Sequence, residues 1–178
     1  MSVTNEFDPT VIAPSAWQTA VWEIVGPANG APLLGALPAP WQGVLDRLRQ
    51  RYGPTAGAGL ALRMGRAFAR HALPPLVTET GLHDTDLRFL PWQRKMPEGL
   101  TLLSALTSQW FATEIAVQST PQGVLWQAEQ CPFGTGLCTP WIGFLQEALY
   151  WLSGGHWFAI SSEADHACVF RVPWKPLY

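Results

Sequence analysis

Three cysteines, Cys131, Cys138 and Cys168, are the residues best equipped for chemistry in this chain. Zinc takes four N, S or O ligands in a tetrahedron, and thiolates suit it. Cys138 and Cys168 are one candidate pair, with Cys131 or His166 completing the shell and Glu163 and Asp165 nearby in sequence. Cys131 and Cys138 stand on either side of a Gly-rich turn, CPFGTGLC. That spacing is wider than a tight zinc knuckle and leaves their convergence open. The same cysteines serve as small buried hydrophobes, and this plainer reading is preferred. Zinc is therefore disfavoured as a cofactor, and no metal is assigned.

A second set is Arg63, Arg66 and Arg70, which share one face of a helical pattern. Guanidinium groups suit carboxylates, such as the propionate of a tetrapyrrole, and Arg66 is kept as a ligand-binding candidate. A solvated helix face is the plainer account of the row. His71 and His83 read as structural or exposed rather than catalytic. The third set is aromatic: Trp92, Trp110, Trp126, Trp141, Phe144 and Trp157. Ligand pockets are mostly apolar with a few polar anchors, and these side chains flank the elements that would surround one. Each taken singly is more readily a core residue.

The elements that must position these residues follow from periodicity. Residues 1–14 read as a flexible lead-in, and Pro14-Ser15 opens a short helix carrying Trp17, Ala20, Val21, Ile24 and Val25. Gly26 to Pro40 is a Pro/Gly/Ala connection. Trp41 to Tyr52 has a helical stripe of Trp41, Val44, Leu45 and Leu48. Pro54 to Leu73 is a longer helix. Leu60, Met64 and Phe68 line one face, beside a small-residue strip of Gly57, Ala61, Gly65 and Ala69. Such a strip admits another helix or a flat ligand close to the backbone. A turn-rich stretch containing His83, Phe89 and Trp92 precedes Pro97, which starts a helix to Phe111.

The period then changes. Glu114 to Gln118 and Val124 to Ala128 alternate across a Thr120-Pro121-Gln122-Gly123 turn, the pattern of an antiparallel hairpin. Cys138 to Leu152 is helical and apolar nearly all round, hence buried. His156 to Ser161 and Ala167 to Val172 read as two more strands. The expectation is a single-domain α+β fold over 15–178, a helical N-terminal half packed on an antiparallel sheet with a ββαββ C-terminal half.

Composition narrows the classes. The chain has 178 residues, ten of them Trp, with 13% charged residues and a formal net charge of -2. Ordinary domains carry about 25% charged residues. So apolar and weakly acidic a chain fits neither a disordered segment nor a nucleic-acid binder. No uninterrupted apolar run reaches the ~20 residues of a membrane span. The N-terminal segment has Glu6 and Asp8 and no basic residue, unlike a signal peptide. An odd cysteine count does not make a disulfide framework. The chain is expected to be cytoplasmic, with reduced cysteines.

The C-terminal third resembles the 4-vinyl reductase domain family. Cys138, Gly143, Gly154-Gly155 and Cys168-Val169-Phe170 fall where that family has a Cys, a Gly on an apolar helix, a Gly-ended loop and a final Cys before an aromatic. The resemblance covers roughly residues 97–173. It implies a fold shared with a trafficking-complex subunit family and with heme nitric-oxide-binding domains, and it implies a homodimer that binds a small hydrophobic molecule. Zinc-binding relatives place a Glu and a Cys between the two flanking cysteines. Here that stretch reads Ile160-Ser161-Ser162-Glu163, and the middle Cys is missing.

The sequence holds no G-x-S-x-G, H-E-x-x-H, P-loop or G-x-G-x-x-G motif. It shows no flavin or nicotinamide motif that would feed a reductase, and three cysteines fall short of a four-Cys cluster site. The expected function is non-enzymatic binding of a hydrophobic small molecule, such as a hydrocarbon, an aromatic or a tetrapyrrole. One alternative is a bacteriochlorophyll or chlorophyll biosynthesis role, as a 4-vinyl reductase or pigment carrier. The other is a protein adaptor with an aromatic surface.

Overall fold

The computed structural model describes residues 9–76, 87, 89–163 and 168–177. His83, Asp165 and His166 lie outside the described residues, as do residues 1–8 of the expected lead-in.

Among the described residues, six α-helices and a four-stranded antiparallel sheet make up the α+β fold. The helices are α1 (Pro9–Val25), α2 (Pro27–Gly30), α3 (Val44–Tyr52), α4 (Pro54–Ala72), α5 (Trp92–Phe111) and α6 (Thr139–Leu152). The strands are β1 (Ile115–Thr120), β2 (Gly123–Ala128), β3 (Ser161–Ser162) and β4 (Val169–Pro173), in the order β1-β2-β4-β3. The hairpin and helices α4 and α6 lie where the periodicity places them.

Helix α4 is the centre of the fold, packed by α1, α3 and α6. Its seam with α6 explains the small-residue strip. A Cβ at Gly65 would stand 2.0 Å from the Pro140 carbonyl oxygen, and one at Gly143 would stand 2.0 Å from the Leu62 carbonyl oxygen. The two backbones touch there, and only glycine on each side allows it. The strip thus receives a helix rather than a flat ligand. Next to the seam, Met64 and Phe68 of α4 and Phe144, Leu145 and Ala148 of α6 are buried. The sheet buries one face: Val124, Trp126, Phe170 and Val172 are fully covered, and register pairs Trp126 with Phe170 and Val124 with Val172.

Four local expectations differ from the structure. Helix α1 begins at Pro9 and runs through Pro14. An interior proline loses one helical hydrogen bond and crowds the preceding turn. Here Ala13, Ala16, Trp17, Ala20 and Val21 are all buried on one side of the helix, and that packing outweighs the lost bond. Helix α5 likewise begins at Trp92 and contains Pro97. Its first turn is anchored by Trp92, which stacks on Phe158 at 5.0 Å and donates Nε1–H to the Trp174 carbonyl at 3.2 Å. Trp41 belongs to a turn, because Gly43 takes a left-handed φ of 71° immediately before α3. Residues 156–160 run without strand pairing, and only Ser161–Ser162 join β4. The Trp157 carbonyl accepts instead from the Leu177 amide at 2.7 Å.

Candidate functional site

The aromatic candidates divide into separate groups. Trp110, Trp126, Trp141 and Phe144 come together: Trp126 meets Trp141 at 5.6 Å, Trp141 meets Phe144 at 5.5 Å and Phe144 meets Trp110 at 6.5 Å. Trp17, Phe68, Phe111 and Phe133 complete the cluster, with Phe133 4.9 Å from Trp17 and 5.8 Å from Trp141. The sequence marked Trp17 and Phe68 as apolar helix residues but not as partners of this cluster, because the four come from three helices and a loop. Trp92 packs against the edge of the same core through Phe158, and Trp157 stands outside it against Tyr150 at 4.5 Å.

Within the cluster the indole N–H groups of Trp17, Trp110, Trp126 and Trp141 are buried and meet no acceptor among the described residues. A buried donor left unpaired costs about 1–3 kcal/mol. Native interiors hold few such groups, and each calls for an explanation. Four in one connected set of rings is a concentrated deficit of acceptors.

The arginine row is occupied within the fold. Arg66 donates Nη2–H and Nε–H to Gln146 Oε1 at 2.7 and 3.1 Å and lies 4.9 Å over the Trp157 ring. Arg70 bridges Glu23 at 2.6 Å and Glu147 at 3.6 Å, and His71 Nε2 lies 2.7 Å from Glu23 Oε2. Partial burial pushes the Glu23 carboxyl up, but hydrogen bonds from His71 and Arg70 outweigh it and hold the group below its ordinary range. Arg63 is exposed. Arg66 and Arg70 are therefore interhelical braces, tying α4 to α6 and α1.

The three cysteines do converge. Their sulfur atoms all lie within 4.8 Å of one another, drawn from the loop after β2, the residue before α6 and the residue before β4. Cys131 and Cys138 are joined as a disulfide, and Cys168 is a free, buried thiol. This corrects the expectation of reduced cysteines: the Gly-rich turn between Cys131 and Cys138 folds their Cα atoms to 5.8 Å apart, within bonding reach. Burial pushes the Cys168 thiol above its ordinary value.

The donor set does not suit zinc as it stands. Two of the three sulfurs are bonded to each other, and zinc takes thiolates. Among the described residues no His, Asp or Glu joins the three cysteines. Glu163 is held by Arg171 at 2.7 Å.

Helix α3 fixes the loop that carries the disulfide. The Leu45 amide donates to the Phe133 carbonyl at 3.0 Å, and Thr135 donates its hydroxyl to Asp46 Oδ1 at 2.7 Å. Arg49 donates to the Thr135 carbonyl. Two grooves flank this loop. One, of about 530 Å³, is bordered by Trp41, Phe111, Ala112, Gln130 and Cys131. The other, of about 590 Å³, is bordered by Gln127, Gln130, Cys131, Thr135 and Cys168. None of the seven residues proposed from sequence to bind a ligand borders either groove.

No helix among the described residues is long and apolar enough to cross a membrane. No protein-family model matches the chain and no curated protein matches it, so the likeness to the 4-vinyl reductase domain family rests on the residues that carry it, Cys138, Gly143, Gly154-Gly155 and Cys168-Val169-Phe170.

Proposed function

We propose that the protein is a non-enzymatic binding module for a small aromatic molecule that carries a hydrogen-bond acceptor. The observation that carries this reading is the set of four buried, unpaired indole N–H groups at Trp17, Trp110, Trp126 and Trp141. An acceptor brought in on an apolar body would relieve at least one of them. Purely hydrocarbon ligands would bury equally well but leave the donors unpaired. The groove of about 530 Å³ supports a route inward, since its size falls in the ~300–1,000 Å³ range of ligand sites. Trp41 and Phe111 line it with rings 4.8 Å apart, and Phe111 in turn meets Trp141 at 5.0 Å. Entry would displace rings that now touch. The homodimer implied by the family resemblance belongs to the same proposal, and light scattering of the purified chain checks it.

Two probes of nearly equal size test the reading. 2-Acetylnaphthalene and 2-ethylnaphthalene differ in one carbonyl. Thermal unfolding and tryptophan fluorescence are followed as each is titrated. The expected result is saturable binding of both, with the ketone about tenfold tighter, the equivalent of ~1.4 kcal/mol for one rescued donor. Absence of any shift with either probe contradicts the proposal.

A further inference from the structure

We propose that Cys131, Cys138 and Cys168 form a thiol–disulfide exchange site, in which Cys168 takes over the bond to Cys138 and releases Cys131 as a thiol at the grooves, where it exchanges with small disulfides. The third sulfur lies within 4.8 Å of both sulfurs of an existing disulfide. Reacting atoms need to approach to about 3–3.5 Å, so at most roughly 1.3–1.8 Å of side-chain movement closes the gap.

The burial pattern gives the exchange a direction. Cys138 and Cys168 are buried, at 0% and 8% exposure, with Cys168 at the edge of one groove, whereas Cys131 is half-buried and borders both. In the present state the free thiol is the covered one. After exchange the disulfide is the covered pair and the free thiol faces the grooves. The exchange would also shift a mechanical tie. The Cys131–Cys138 bond closes the loop that α3 holds through Asp46 and Thr135. A Cys138–Cys168 bond would tie the start of α6 to the start of β4 instead, leaving that loop secured by hydrogen bonds alone.

The chemistry balances without an oxidant. Cys168 gives its proton to solvent, and its thiolate attacks Cys138 Sγ. The Cys138–Cys168 S–S bond forms as the Cys131–Cys138 bond breaks, and the electron pair leaves on Cys131 Sγ, which takes up a proton. One disulfide and one thiol remain. Glutathione disulfide then serves as the external partner: the Cys131 thiolate attacks it, forming a mixed disulfide and releasing one glutathione thiolate.

The test uses the purified full chain without reductant. It is incubated with N-ethylmaleimide at about pH 8.5, near the ordinary thiol pKa, quenched in acid and mapped by non-reducing peptide mass spectrometry. The expected label is on Cys131, in molecules containing a Cys138–Cys168 bond, at about ten times the level on Cys168. Cys168→Ser should take no label. Cys131→Ser, first reduced and then treated with glutathione disulfide, should form the Cys138–Cys168 bond while keeping its native circular dichroism. Label confined to Cys168 beside an intact Cys131–Cys138 bond overturns the proposal. So does a natively folded chain that takes no label at Cys131, or a folded Cys131→Ser that acquires glutathione adducts without the internal bond.

Discussion

The contact between α4 and α6 is close enough to make a single methyl group decisive. In Gly65→Ala the added Cβ would sit 2.0 Å from the Pro140 carbonyl oxygen, with the carbonyl carbon at 2.8 Å. Both obstacles are backbone, so no side-chain rotation relieves them, and the helices must part by roughly an ångström. Overpacking of this kind costs up to about 3 kcal/mol. Alanine's better helix propensity returns about 1 kcal/mol, leaving a net loss of ~2 kcal/mol. For a chain of this size that is a fall in Tm of about 4–8 °C. Gly59 provides the control on the same helix: it is exposed, and a Cβ there meets nothing within 4 Å. Gly59→Ala should therefore raise Tm by about 2–4 °C, since propensity acts alone. Thermal unfolding followed by far-ultraviolet circular dichroism measures both. A Gly65→Ala variant as stable as wild type, alongside a stabilised Gly59→Ala, would refute the close-contact reasoning.

Reduction of Cys131–Cys138, whose residues are 7 apart, should lower stability by about 2.5 kcal/mol by loop-closure entropy, or about 5–10 °C in Tm; denaturant unfolding with and without dithiothreitol checks this. The Cys168 thiol is raised by burial, so the folded state holds its proton more tightly than the unfolded chain. Its stabilising effect is full below the unfolded value of about 8.5 and is lost as pH rises through the folded value; urea unfolding across this alkaline range should show that loss in wild type but not in Cys168→Ala. Glu23 is shifted the other way, as burial is outweighed by His71 and Arg70. The stability from its carboxylate is present above about pH 4.3 and lost as pH falls through the folded value; Glu23→Gln should cost less than about 1 kcal/mol at neutral pH, given its exposure, and the difference from wild type should shrink in acid.

What the sequence disclosed, and what it withheld, follows from the range of the interactions. The Gly57, Ala61, Gly65 and Ala69 strip is a local pattern, and it correctly announced a close-packed neighbour. The largely apolar run of α6 announced burial, and Trp141, Phe144 and Leu145 are buried. The alternation around Gly123 announced the hairpin. Proline rules misplaced the starts of α1 and α5, because Trp17 and Trp92 secure those turns through partners distant in sequence. The disulfide was beyond reach for the same reason. Whether Cys131 and Cys138 meet depends on α3 gripping the intervening loop through Leu45, Asp46 and Arg49. The aromatic set was recognised as a group, but spacing along the chain could not separate Trp157 from the interior or place Trp92 at its edge. Nor could it bring in Phe133, whose position depends on that same loop.

The most direct measurement is the indole region of a proton–nitrogen NMR spectrum, where each of the ten tryptophans contributes one N–H signal assignable by substitution. Addition of 2-acetylnaphthalene should move the signal of at least one of Trp17, Trp110, Trp126 and Trp141 downfield, as a new hydrogen bond to the carbonyl requires, whereas 2-ethylnaphthalene should perturb the same signals without that displacement. Four indole signals unmoved by either compound at saturating concentration would contradict the claim that this interior receives an acceptor-bearing aromatic ligand.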